Sequence, residues 1–333
     1  MRYFCWGTCS HEAERNTLVN ANRPLRWYSF RWQTGVVLCV VFVVAWYFLI
    51  GRFKHPVGTG PAGPAISMDA FQKAWSTNQF ILVGIGDSVT AGFGATHKHS
   101  YFDLLQQNDD MQYPDMLGRD LHHVLPNLRI HNFSVSYTVS EEHLRDQVPA
   151  IALYPPTVRG IVVITTGGND LIHDYGRSAP REGAMYGCTY EQALQWQDGF
   201  RARIKGIVDG VIAKFPGGCD VFLANIYDPT DDAGDIQHAH LGLPAWPDGT
   251  KVLPVFNKII AEICHSYTNV HLVDFHAAFL GHGIHCSDRL NRNYRAEDPH
   301  YWYFLNLEDP NDRGYDAIRR LFLLEMSKVF YRS

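Results

Sequence analysis

From about residue 78 to the C-terminus, short apolar runs alternate with longer amphipathic stretches. The apolar runs fall at 80–86, 128–135, 160–168, 220–227 and 269–275. Each is too short for a helix, and most lack the alternation of a strand with one wet face. Between them lie "YPDMLGRDLHHVL", "EEHLRDQVPAIAL", "YEQALQWQDGFRARIKGIVDGVIAKF", "VFNKIIAEICHSY" and "DRGYDAIRRLFLLEMSKVF", all with helical spacing of their apolar positions. Continuously apolar strands alternating with helices predict an α/β domain, a parallel sheet covered on both faces. In such sheets ligands bind beyond the carboxyl ends of the strands, so chemistry is expected just after each apolar run.

The N-terminal segment follows a different pattern. Residues 34–51, "TGVVLCVVFVVAWYFLIG", carry no charge and no polar face. A run of that length is at the short end of what crosses a bilayer as a helix. Arg23, Arg26 and Arg31 precede it, and Arg52 and Lys54 follow it. The long charged lead and the lack of a small-x-small cleavage site favour an uncleaved transmembrane signal anchor. The expected organisation is a cytoplasmic tail (1–33), the membrane anchor (34–51), a Pro/Gly-rich linker (52–77) and a folded domain (78–333) outside the cytoplasm, periplasmic or extracellular.

A net charge of -5 supplies no basic face for nucleic acid, and none is expected as a partner. Cys188, Cys219, Cys264 and Cys286 are an even set that permits two disulfides in three pairings, or four buried thiols. Cys5, Cys9 and His11 lack a second ligand pair for structural zinc. The loop "YDPTDDAGDIQHAH" is rich in Asp and His but lacks the closing glutamate of a calcium loop, so no metal is expected there. Long loops at about 92–112, 227–252 and 276–304 are rich in aromatic residues, which argues for binding-site walls rather than disorder.

Two strand ends carry chemistry. The first reads "GIGDSVTAG", with Ser88 on a glycine-flanked turn into a helix. The third strand ends "TTGGNDLI", where Asn169 offers an amide donor. Singly these are a helix cap and a turn. In order, "GDSVTAG", "YPDML", "NFSVS" and "GGND" resemble the SGNH (GDSL-type) hydrolase family over roughly residues 78–333. The resemblance implies a three-layer α/β/α sandwich with a parallel, flavodoxin-like sheet, and serine-based ester hydrolysis without a cofactor. It assigns Ser88 as nucleophile, with the Ser88 N–H and the Asn169 side chain in the oxyanion hole. The family's glycine near "NFSVSYT" aligns with Tyr137, whose N–H would be a further oxyanion donor, provided its backbone does not require a positive φ.

The family's Asp-x-x-His aligns with Asn306 and Asp309, so neither triad partner stands at its usual place. The substitute offered by the sequence is "AEDPHYWYF": His300 as base, with Glu297 or Asp298 orienting it. His282 and His285 are fallback bases. The expected activity is that of a membrane-anchored carboxylic-ester or O-acetyl esterase acting on a lipid, glycan or small-molecule ester. The alternatives are a catalytically silent carbohydrate- or lipid-binding domain and an O-acyltransferase.

Overall fold

The computed structural model describes residues 25–46, 55–172, 189–239 and 245–331. Contacts divide the chain into two units, Met1–Phe53 and Lys54–Ser333.

In the second unit five strands form one parallel sheet: β1 (Gln79–Gly86), β2 (Leu128–Asn132), β3 (Val158–Thr165), β4 (Cys219–Ala224) and β5 (Val270–Val273), in the order β2-β1-β3-β4-β5. All five lie where the apolar runs predict them. Side chains alternate across β1: Phe80 and Leu82 enter one core, Ile81, Val83 and Ile85 the other. The first core is closed by Tyr101–Gln106 and Asp312–Phe330, the second by Gln197–Ile212 and Gly249–His265. Both faces of the sheet are therefore covered, which is why its strands read as unbroken apolar runs. The strand order reverses between β1 and β3, which places a crevice at the carboxyl ends of those two strands.

Some boundaries differ from the sequence reading. The run 128–135 stays in the sheet only to Asn132, whose side chain then accepts from Ser134 N at 3.0 Å and donates to Thr90 O at 3.0 Å. The stretch 113–125 is no continuous helix: a 3-10 turn at Pro114–Met116 gives way at Gly118, φ 69°, and Asp120 then caps Leu121–Val124. The stretch from Ser140 to Ala150 is helical in three short pieces, the middle one a wide π turn at His143–Gln147. Pro149 has no N–H to return to that turn.

The 52–77 segment does not stand off as a spacer where it is described. Ala62, Ile66 and Phe71 are buried in the first core, Ala62 N donates to Asp316 Oδ2 at 3.0 Å, and His55 stacks on Tyr301. Cys219, Cys264 and Cys286 are free, buried thiols with pKa values pushed up to about 12 by burial, so they form no disulfides. Cys188, Cys5, Cys9, His11 and the tail before residue 25 lie outside the described residues.

The first unit contributes one helix, Leu25–Trp46. It covers the expected span from Thr34 to Trp46, and residues 47–51 of that span lie outside the described residues. Among the described residues no helix is long and apolar enough to cross a membrane.

Candidate active site

Ser88 opens the short helix Ser88–Ala91, and Asp87 caps it by accepting from Val89 N at 3.1 Å. As the first helical residue, Ser88 has no carbonyl one turn earlier for its N–H. The turn needs glycine at 86: φ is 149°, and a Cβ would lie 2.5 Å from the Thr165 carbonyl of β3. That close approach draws the ends of β1 and β3 together. Thr90 and Thr165 share a hydroxyl hydrogen bond of 2.7 Å across the seam.

Asn169 sits in the short helix Gly168–Ile172 after β3, and Ser88 and Asn169 line one cavity. The same wall carries Asp87, Tyr227, Phe275 and Glu308. The Asn169 amide is oriented by donating to Thr138 O at 2.9 Å. Thr138 is itself held from below. Its hydroxyl meets His143 Nε2 at 2.9 Å, and His143 Nδ1 meets Thr166 Oγ1 at 2.8 Å. His143 is wholly buried, and burial lowers its pKa to about 3, so it remains neutral. Gln147 bridges the same layer to β1, accepting from Gly86 N at 2.9 Å and donating to Gly86 O at 2.8 Å. The π turn thus aims both His143 and Gln147 at the strand ends. Asp170 anchors the loop a second time, accepting from Ser140 N at 2.9 Å and Ser140 Oγ at 2.5 Å, with Arg203 Nε donating to Ser140 Oγ.

Tyr137 adopts φ 68°, the left-handed conformation that a glycine would take freely. For a bulky residue this costs about 1–2 kcal/mol. Its side chain is 55% exposed and meets Phe93 edge-on at 6.2 Å.

The family-aligned fourth block does reach this region. Glu308 lines the cavity, Tyr227 donates its hydroxyl to Glu308 O, and Asp309 is buried with Asn306 Nδ2 donating to it at 2.7 Å. Burial first, and the neighbouring Asp309 charge second, raise the Asp87 pKa to about 7. Asp87 is the residue the sequence reading passed over, although it stands in the same "GDS" triplet as Ser88. Its burial and its carboxylate neighbour were invisible without the fold.

His300 is not among the side chains lining the cavity. Its Nδ1 lies 2.5 Å from Asp298 Oδ1, and its ring covers Gly58 so closely that no side chain would fit there. Asp298 also accepts from Arg313 Nη2 at 2.7 Å, and Arg313 Nη1 donates to the carbonyls of Thr59 and Gly60. The "AEDPH" constellation therefore clasps the 55–62 segment. Asp298 contacts the imidazole; Glu297 is exposed. His282 is stacked on Trp302 and its Nδ1 donates to His300 O at 3.0 Å, with its pKa lowered to about 4 by burial. His285 meets Asp235 at 2.9 Å. The acidic loop is likewise occupied internally: Asp231 accepts from the N–H groups of Gly281, Gly283 and His285.

Three solved structures are similar over most of the chain. An α/β hydrolase from the metagenome of Lake Arreo, Spain, is 18% identical, with 78% of this chain and 99% of that one covered and a TM-score of 0.44. A psychrotrophic esterase from Pseudoalteromonas sp. is 17% identical, with 77% and 100% covered and a TM-score of 0.41. A phospholipase A1 from Streptomyces albidoflavus is 14% identical, with 76% and 100% covered and a TM-score of 0.43. No curated protein matches. The family model of the GDSL-like lipase/acylhydrolases matches residues 85–317. That span holds Ser88, Asn169 and Asp309, and the chain belongs to the GDSL-like lipase/acylhydrolase family.

Proposed function

We propose that the protein is a serine ester hydrolase in which Ser88 attacks an ester carbonyl, the alcohol leaves with a proton, and water then hydrolyses the acyl-enzyme to the acid and free Ser88. The observation that carries this reading is the shared cavity of Ser88 and Asn169 at the reversal point of the sheet. The N–H groups of Ser88 and Tyr137 and the Asn169 amide are the oxyanion donors. Asp87 is the proton acceptor in this reading. It lines the same cavity, and a carboxyl held at about 7 is matched to neutral-pH base chemistry in a way an ordinary aspartate is not. His300, the base expected from sequence, does hold Asp298 at Nδ1 as a triad imidazole would, but its ring lies against Gly58 and it is not among the residues lining the cavity.

A second reading, a catalytically silent domain that binds an ester or glycan in the same cleft, is favoured by Asp309 at the family's histidine place. The deciding experiment is hydrolysis of a chromogenic short-chain ester by the full chain in detergent, with Ser88→Ala, Asp87→Asn and His300→Ala beside wild type. Loss of turnover in Ser88→Ala and Asp87→Asn, with retention in His300→Ala, supports the esterase with an aspartate base. Loss in His300→Ala returns the base to His300. An inert wild type that a serine-directed phosphonate fails to label leaves the binding domain. Product that forms only with an added sugar acceptor makes the protein an acyltransferase.

Membrane anchoring through 34–51 belongs to the same proposal, with the catalytic domain outside the cytoplasm. Its support is the apolar run itself and the exposure of Val36, Val37, Leu38, Val40, Val41, Phe42 and Val43 along the helix. Release of the chain from membranes by alkaline carbonate would refute it.

A further inference from the structure

The cavity at Ser88 has a volume of about 30 Å³. A water needs about 10–15 Å³ by that measure, so the enclosed part of the site is small, and it opens to solvent. The bulk of an ester lies outside the enclosed part, and what stands outside is aromatic. Phe93 N donates to Ser88 O at 2.9 Å, which fixes Phe93 beside the nucleophile. Tyr137 directly precedes Thr138, the residue that holds the Asn169 amide. The two rings meet at 6.2 Å, and Phe93 meets Phe304 at 6.0 Å, both edge to face. Phe93 and Tyr137 remain 38% and 55% exposed. A row of ring faces and edges therefore runs along both oxyanion-hole segments and on toward the block that carries Glu308.

Tyr137 is the telling member. A glycine at 137 would present the same N–H with no strain at φ 68°, and it would leave Phe93 without its partner. The strained backbone is thus explained by the side chain, not by the oxyanion hole.

We propose that Tyr137 is a specificity-determining residue, and that with Phe93 and Phe304 it holds the ring of an ester's alcohol part while a short acyl group enters the Ser88 cavity. The substrate class is short-acyl esters of alcohols that present a flat or apolar ring face, whether aryl or sugar. This rests on the serine-esterase reading above.

The test uses the full chain in detergent with benzyl acetate, a monoacetylated sugar, ethyl acetate and benzyl octanoate. Wild type, Tyr137→Gly, Tyr137→Phe, Phe93→Ala and Ser88→Ala are compared, with a thermal melt of each. Tyr137→Gly should lower the ratio of kcat/KM for benzyl over ethyl acetate about tenfold, chiefly through KM, as loss of aromatic contacts predicts. Its melting temperature should hold or rise, because the strain is relieved. Tyr137→Phe should retain the ratio, and Phe93→Ala should lose it. The sugar ester following the benzyl ester identifies a sugar ring as sufficient; the sugar ester following ethyl acetate identifies an aryl ring as required. A ratio unchanged within twofold in Tyr137→Gly, or benzyl octanoate preferred to benzyl acetate, overturns the proposal alone. Turnover that Ser88→Ala does not abolish overturns the serine-esterase reading and this proposal with it.

Discussion

The Asn169 side-chain amide donates to the Thr138 carbonyl at 2.9 Å, and this single bond sets which way an amide beside Ser88 points. One Nδ2 hydrogen is committed to the loop, and the proposed esterase uses the other as an oxyanion donor. Asn169→Ala removes that donor without touching the sheet. The expected loss in kcat is about 10²–10³-fold, with KM little changed, measured as steady-state hydrolysis of a short-chain ester.

The Asp87 carboxyl gives the protein a pH signature. Its pKa is raised from 3.8 to about 7, so the folded state holds a proton that the unfolded chain has released. Its contribution to stability is full below about pH 4 and is lost as pH rises toward 7. Urea titrations at pH 4.5, 6 and 7.5 should detect that decline, and Asp87→Asn should flatten it. Asp309→Asn removes the second cause of the shift, and the decline should then end at a lower pH. Turnover, if Asp87 is the base, rises over the same interval as the carboxylate forms. A rate that is flat from pH 5 to 8 would exclude Asp87 from that role.

His143 acts in the opposite sense. Burial lowers its pKa from 6.5 to about 3, so the unfolded chain takes up a proton that the folded chain refuses. The stability it supports is present above pH 6.5 and falls as pH drops below that value. Replacing it, as in His143→Gln, should remove part of the acid lability seen by urea unfolding at pH 7 and 5. The same variant should slow turnover, because the Thr138 hydroxyl loses its imidazole partner beneath the loop that holds Asn169 and keeps only Val135 O, Gly86 O and Gln147.

The clasp on the 55–62 segment makes a structural prediction. Arg313 Nη1 binds the Thr59 and Gly60 carbonyls at 2.9 and 2.8 Å. Hydrogen bonds to a charged group contribute about 1.5–3 kcal/mol each when buried, so Arg313→Ala should cost on the order of 2 kcal/mol or more. Hydrogen exchange should rise first in residues 55–66. His300→Ala should show a weaker version of the same pattern. If 55–66 exchange is unchanged in both variants, the clasp has no energetic role.

Strands β1, β3 and β4 were readable in advance because both faces of the sheet are covered there, and burial on both sides leaves an unmistakable apolar run; β2, at the edge, buries only Leu128. Ser88 and Asn169 were readable because the blocks that hold them stand in the order of the GDSL-type family; singly, each turn after its strand reads as a cap or a bend. The spacing of the AEDPH block brings a carboxylate and the imidazole together, with Asp298 and not Glu297 as the partner, but spacing is a local property. It could not say that the His300 ring packs on Gly58 or that Arg313 shares Asp298.

Sequence alone determined the layered α/β architecture and the order of its strands along the chain, which follow from hydrophobic periodicity acting over a few residues. Ser88 and Asn169, at the reversal point, came from the resemblance of their blocks to the GDSL-type family. Tertiary structure decided the rest: that Asp87 and Asp309 are buried near one another, that a strained Tyr137 meets Phe93, and that His300 fastens an N-terminal segment. Each of these depends on residues tens or hundreds of positions apart, and on the desolvation and steric fit that arise only when the chain is packed.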